Sequence, residues 1–369
     1  MSCLFSFSRM FCDAVKCNII LNHAASLVER LYKQHCSPLP PPSLFFILFY
    51  KLAFLVFSLS NKAWKSKPPT LKMTTIGLIP GYFPPSQQNY DLLLTLWKWF
   101  PAFASLQWFL SFYGMGKTSL PSSLFNIPGR IAWFTMEIPG FLTLLYTFRT
   151  LSPDDGLPWQ NTVLSALFVI HYIYRAILFP FLQPSMSPIH FTIWFSAFIF
   201  QIINGTLLGG WLSGYYHGAA PITASAWGKQ TGILQFSFGI AVFYLGLVSN
   251  YYHDDELREI RRRELNRQEK QQQMNQQQGV KKGKGVEKHY EIPKAGLFKW
   301  VLYPHYLLEW LEWFGFWMAC GWGSVPARCF LVNEISSMLP RAVKGKKWYV
   351  ERFGEEKVGR KWAVIPGVL

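Results

Sequence analysis

The chain has 369 residues, of which 50% are hydrophobic, 18% aromatic and only 15% charged, against roughly 25% charged in soluble domains. That composition excludes an ordinary water-soluble globule, which would lack the polar surface to cover itself. The chain carries a net charge of +16; in the C-terminal half most of the positive charge lies at Arg258 to Lys288 and Arg341 to Lys361, beside apolar runs, where membrane topology and anionic head groups use it and a nucleic-acid partner is a poor reading.

Taken in chain order, residues 1–72 stand apart. Four of the six cysteines (Cys3, Cys12, Cys17, Cys36) fall here, then Pro38, Pro40, Pro41 and Pro42, an apolar stretch 43–59 broken by Lys51, and a basic run from Lys62 to Lys72. No tidy cleavage site follows, and the apolar part is short for a span. We expect a weakly structured N-terminal extension over 1–72, with 43–59 a possible extra hydrophobic segment, ahead of a membrane domain over 73–369. Cys320 and Cys329 are the remaining cysteines and no CxxC occurs, so neither a disulfide framework nor a metal site is indicated. The histidines never approach one another more closely than twelve residues, which argues against clustered histidine boxes.

Several runs approach the ~20 apolar residues that cross a bilayer: Asp91 to Tyr113, Ile131 to Phe148, Thr162 to Leu182, Phe191 to Tyr215, Gly232 to Tyr251, Val301 to Trp322 and a weaker one from Pro326 to Leu339. The expected fold is an all-α integral membrane protein, a bundle of about seven transmembrane helices. Between the fifth and sixth runs, 262–288 is polar, rich in Gln and Lys and without an apolar face. It reads as a mobile, exposed loop. Asn204-Gly-Thr206 spells a glycosylation acceptor, but it falls inside an apolar run where the modifying enzyme has no access. Neither a GxGxxG after a strand nor a Walker loop is present, so any nucleotide is held by something other than a Rossmann or P-loop fold.

Within the second run lies Glu137, two residues before Pro139. A carboxylate in lipid costs at least ~2.5 to 3.5 kcal/mol on insertion scales, so such a group carries either a partner or a task. Arg130 or Arg175 would serve as a structural partner; alternatively, since burial disfavours the charged form, a protonated Glu137 donates a hydrogen bond to a substrate oxygen. Pro139 removes one backbone donor and is expected to kink the helix near that carboxyl. The third run carries His171, Tyr172, Tyr174 and Arg175 within little more than a turn, with His171, Tyr174 and Arg175 on one face at helical spacing. A guanidinium there calls for a carboxylate or phosphate. In His305-Tyr-Leu-Leu-Glu-Trp-Leu-Glu-Trp313 one helix face offers an imidazole and the carboxylates of Glu309 and Glu312, a donor set for a metal, though no second helix offers a matching His/Glu pair, and equally suited to the ribose hydroxyls and amides of a nucleotide. Asn250, His253, Asp254, Arg258, Arg261 and Arg262 close the fifth run, as a solvated helix end or as a clamp for phosphates at the membrane surface.

The order of these motifs resembles the steroid 5α-reductase family of membrane NADPH-dependent reductases. The likeness rests on Gly246-Leu-Val-Ser-Asn250, His253-Asp254 with Arg258 and Arg261, Tyr290-Glu-Ile-Pro-Lys-Ala-Gly-Leu-Phe298, Pro304-His-Tyr, Glu309-Trp-Leu-Glu-Trp313, Arg341-Ala342, Trp348-Tyr349 and Ile365-Pro366. Upstream, Ala132-Trp-Phe-Thr-Met-Glu-Ile-Pro139 and His171-Tyr-Ile-Tyr-Arg175 extend it, from about Gly129 to Leu369. The resemblance implies a seven-helix bundle of the endoplasmic reticulum membrane enclosing a cavity for substrate and NADPH. It implies that Glu137 and Tyr172 bind the 3-oxo group of a 4-ene steroid and that Asn250, Asp254, Arg261, Tyr290, His305, Glu309 and Tyr349 face the cofactor. The partners implied are a hydrophobic steroid or lipid enone and the membrane lipids.

Three departures stand out. The family commonly has a basic residue where this chain has Glu291, often a histidine near Gly345, and in some members a basic loop where Pro184-Ser-Met-Ser-Pro188 stands; Lys294, Lys344 or Lys346 would compensate. Sister branches of the superfamily, the very-long-chain trans-2-enoyl-CoA reductases and the polyprenol reductases, are the nearest alternatives, and a non-catalytic lipid-binding membrane protein is the alternative from another class.

Overall fold

The computed structural model describes residues 77–110, 115–116, 123–153, 156–214, 227, 231–277 and 290–369. The chain divides between Lys72 and Met73 into two units; the first, including the apolar stretch 43–59, lies outside the described residues. The described residues of the second are mainly helical, with one short antiparallel pair. In order come α1 (Gln87–Lys98), β1 (Asn126–Ile127), α2 (Gly129–Leu151), α3 (Trp159–Tyr172), β2 (Ile189–His190), α4 (Phe191–Leu212), α5 (Gly232–Gln277), α6 (Pro304–Cys320) and α7 (Val325–Phe353).

Among the described residues, four helical stretches are long and apolar enough to cross a membrane: Gly129–Leu151, Trp159–Leu182, Phe191–Leu212 and Gly232–Asn275. The first predicted run is broken instead. Pro101 opens a new short helix, Phe100–Ala104, which passes into a 3-10 turn at Ser105–Trp108, because a proline tolerates a first-turn position but supplies no interior donor.

Two helix pairs dominate the packing, α5 with α6 and α2 with α4. Small residues let both pairs close up, as van der Waals contact between membrane helices requires. A Cβ on Gly246 would fall 2.5 Å from the backbone nitrogen of Glu312, and one on Gly209 would fall 2.8 Å from Leu144 O. Aromatic rings fill the centre: Trp313 packs at 4.4 Å on Phe330 and 5.7 Å on Phe168. At one end, β1 pairs with β2, Asn126 opposite His190, and ties the starts of α2 and α4 together.

The segment expected as a loop over 262–288 is helix through Gln277, continuous with α5. Its Glu, Arg, Lys, Gln and Met residues are strong helix formers, and no Gly or Pro interrupts them before Gly279. Side chains along its surface also pair at helical spacing: Arg262 with Glu259, and Gln268 Nε2 donating to Glu264 Oε1 at 2.9 Å. A helix of 46 residues is roughly 69 Å long at ~1.5 Å per residue, so its polar half extends well past any bilayer core.

Candidate active site

Glu137 is 9% exposed, and its partner is neither arginine. Arg130 donates from Nε to Pro180 O (3.1 Å) and from a terminal nitrogen to Gln183 O (2.9 Å). Arg175 reaches Asp254 (3.8 Å) and Glu309 (3.7 Å). Gln201 of α4 donates its Nε2–H to Glu137 Oε2 at 2.6 Å. The Tyr172 hydroxyl lies beside the same amide, and the Tyr172 ring rests on Phe168 at 4.6 Å. Gly140 makes room for this meeting: an added Cβ would come within 2.5 Å of Gln201 Oε1 and 3.2 Å of the Tyr172 ring. A carboxyl, an amide and a phenol from three helices are thereby gathered at one depth.

Beyond Tyr172 the helix widens into a π segment, Ile173–Leu178. Such insertions rotate successive side chains away from α spacing and are common at functional sites. The expected shared face therefore splits. His171 and Arg175 stay together on Glu309, with His171 Nε2 at 3.8 Å and its Nδ1 hydrogen-bonded to Glu312 Oε1 at 2.7 Å. Tyr174 turns instead to α5, accepting from Arg258 at 3.3 Å and packing edge-on against Tyr251. Arg175 is sandwiched: its guanidinium lies 4.8 Å from the Trp133 ring centre and 5.2 Å from that of Phe179, which shields its charge from lipid.

Along α5, Asn250, Asp254 and Arg258 recur every fourth residue and share a buried stripe. Among the described residues, Asn250 Oδ1, Asp254 Oδ2 and Arg258 Nε are buried without hydrogen-bond partners. Arg261 donates to Gln183 Oε1 at 2.7 Å. It is exposed, with Asp254, Tyr290 and Tyr349 near enough to act on its charge. Asp254, Arg261, Tyr290 and Tyr349 are thus brought together, with Glu309 joined to them through Arg175. His305 stands to one side among Phe298, Tyr303 and Tyr306. His253 is a structural link: Nδ1–H donates to Ser249 O (2.7 Å) while Nε2 accepts from the Leu297 backbone N–H (3.0 Å).

The departures have physical counterparts. A Cβ on Gly345 would overlap the Tyr303 hydroxyl, so the phenol occupies the space of a larger residue there. Lys344 does not compensate for the missing cation, because its ammonium is bonded to the carbonyls of Gln107 and Leu110 at the end of the 3-10 turn. Lys361 bonds to the carbonyls of Pro293 and Phe298; burial and the nearby Lys294 hold its ammonium below the usual lysine range.

Gln201, Tyr303 and Glu334 escaped the sequence reading. A signal existed for two of them. Gln201 is an amide inside the run from Phe191 and Glu334 a carboxyl inside the run from Pro326, the anomaly that singled out Glu137.

Among the described residues, four apolar helices of spanning length with buried polar side chains among them indicate a membrane protein. The family described as 3-oxo-5-alpha-steroid 4-dehydrogenase matches residues 187–369. An uncharacterized protein of Schizosaccharomyces pombe is 34% identical over 271 residues, covering 69% of this chain and 90% of that protein. The 3-oxo-5-alpha-steroid 4-dehydrogenase 1 of Bos taurus is 30% identical over 67% of this chain and 84% of its own length, and a steroid 5-alpha-reductase of Solanum lycopersicum 29% over 75% and 95%. The chain belongs to the 3-oxo-5-alpha-steroid 4-dehydrogenase family and is an oxidoreductase of that type.

Proposed function

We propose that this protein reduces the 4,5 double bond of a 3-oxo-4-ene steroid with NADPH, in the endoplasmic reticulum membrane, as a bundle of about seven helices around a common substrate and cofactor cavity. Besides the four apolar helices, the nearly continuous turns from Gln87 to Trp108, the 17-residue α6 and the 29-residue α7 supply the other spans. The observation that carries the reading is the convergence of Glu137, Gln201 and Tyr172 at one depth. An enone accepts hydride at its β-carbon only as charge moves onto the carbonyl oxygen, so donors fixed on that oxygen stabilise the transition state more than the ground state. Protonated Glu137 and the Tyr172 hydroxyl are those donors, and Gln201 holds Glu137 in place.

The stripe along α5 fits the cofactor chemically. Asn250 Oδ1, buried without a hydrogen bond, suits a carboxamide N–H; Asp254 Oδ2, held only by its 3.8 Å ion pair with Arg175, suits a ribose hydroxyl; and the exposed guanidinium of Arg261 suits a phosphate. Tyr290, His305, Glu309 and Tyr349 complete the set of cofactor-side residues. Bound there, NADPH supplies the hydride. The protein's own residues orient the enone and exclude water from its oxygen, while the lipid-facing helices admit an apolar substrate from the side.

The test is mass-spectrometric product analysis of the purified protein with NADPH and, separately, a 4-ene-3-ketosteroid, a long trans-2-enoyl-CoA and a polyprenal. Saturated 3-ketosteroid is expected. Reduction of either of the other two alone would move the protein to a sister branch, and reduction of none would overturn the reading.

A further inference from the structure

Enone reduction needs a proton as well as a hydride, and neither Glu137 nor Tyr172 is placed to supply it to carbon, since both are aimed at oxygen. A second carboxyl lies at the same depth. On α7, Phe330 packs against Trp313 of α6 (4.4 Å) and Phe168 of α3 (6.2 Å). Two turns later, Met338 Sδ accepts from Trp310 Nε1 at 3.2 Å, and further on the Arg341 guanidinium stands 5.7 Å from the Tyr306 ring centre. These pairings run in opposite order along α6 and α7. His171 and Arg175 meet Glu312 and Glu309 in opposite order too, so α3 and α7 run the same way.

One turn beyond Phe168 is Tyr172, and one turn beyond Phe330 is Glu334, each displaced by ~5.4 Å in the same direction. Glu334 therefore arrives beside Tyr172. The charges bearing on it most are those of Glu309, Glu137, Arg175 and Arg341. Among the described residues it makes no hydrogen bond and no ion pair within 4.0 Å, and it is half-buried. A carboxyl kept in such a place without a partner of its own is a functional group by default.

We propose that Glu334 is the acid that protonates the α-carbon of the enone; the proposal rests on the enone-reductase reading above. As hydride from the nicotinamide donor forms the C–H bond at the β-carbon, the π pair shifts to an enolate held by Glu137 and Tyr172. The enolate pair then takes the Glu334 proton at the α-carbon, one bond from the carbonyl. The O–H bond of the acid breaks, the ketone re-forms, and the carboxylate regains a proton from water before the next turnover.

The test uses the full-length protein in lipid nanodiscs with NADPH and a 4-ene-3-ketosteroid. For Glu334→Gln we expect at least a tenfold fall in kcat, KM for the steroid within twofold, and unchanged binding of a radiolabelled non-reducible 3-oxo steroid to NADPH-free protein. Slow protonation shows as a larger solvent isotope effect and a smaller primary effect from deuterated NADPH. Glu334→Asp, which keeps the acid, recovers part of the rate. Wild-type isotope effects with an unchanged kcat in Glu334→Gln, or a loss carried entirely by KM, would overturn the role of Glu334 while leaving the reductase intact. A wild-type protein inactive on every enone would overturn the parent reading and this one together.

Discussion

Glu137 owes its tolerance in an apolar helix to a neutral amide. An ion pair with Arg175 would have fixed the carboxylate in its charged form, whereas Gln201 supports it with one hydrogen bond at 2.6 Å. Glu137→Gln is expected to lower turnover at least tenfold, about 1.4 kcal/mol of transition-state stabilisation, with NADPH binding retained by intrinsic-fluorescence titration. Gln201→Leu, which removes the support and keeps the acid, should cut kcat about fivefold or more, ~1 kcal/mol; full activity would mean that Glu137 is positioned by something else. Arg261→Ala should raise the NADPH requirement with steroid affinity unchanged, and the opposite pattern in a two-substrate kinetic analysis would remove that arginine from the cofactor side. Glu137 was legible in the sequence because charge in an apolar run is costly wherever it sits. Its partner was not, because the run gives no sign of which polar residue on another helix will come within hydrogen-bond distance.

At the scale of elements, the structure depends on a few close approaches and one histidine link. Gly246 leaves space against the Glu312 backbone, so Gly246→Leu is expected to separate α5 from α6, seen as loss of the monodisperse peak in size-exclusion chromatography. His253 joins α5 to the segment before α6 through Ser249 and Leu297. Removing it orphans the Leu297 N–H, and His253→Ala should destabilise by about 1–3 kcal/mol, read as a lowered thermal midpoint. The helix that replaced the expected loop over 262–277 follows the same local physics. Its composition was polar enough to look unstructured, but uninterrupted helix formers attached to an existing helix extend it without a new nucleation cost.

For the whole molecule, charge and apolar periodicity set a topology that can be measured. The basic half of α5 is expected on the cytosolic face and the turn between α6 and α7 on the opposite one. In sealed microsomes lacking the N-terminal cysteines, Asn266→Cys should react with an impermeant maleimide at once and Trp322→Cys only after permeabilisation; the reverse would invert the bundle. By itself the sequence determined the helical membrane class, the family and the individual residues whose polarity is out of place, because burial energies and motif order are written along the chain. Only the tertiary structure decided that Gln201 holds Glu137, that the π segment parts Tyr174 from His171 and Arg175, that Tyr303 fills the space beside Gly345 and that Glu334 stands level with Tyr172. These are relations between helices, set by which faces pack and in which direction the chain returns, and no spacing within one helix encodes them.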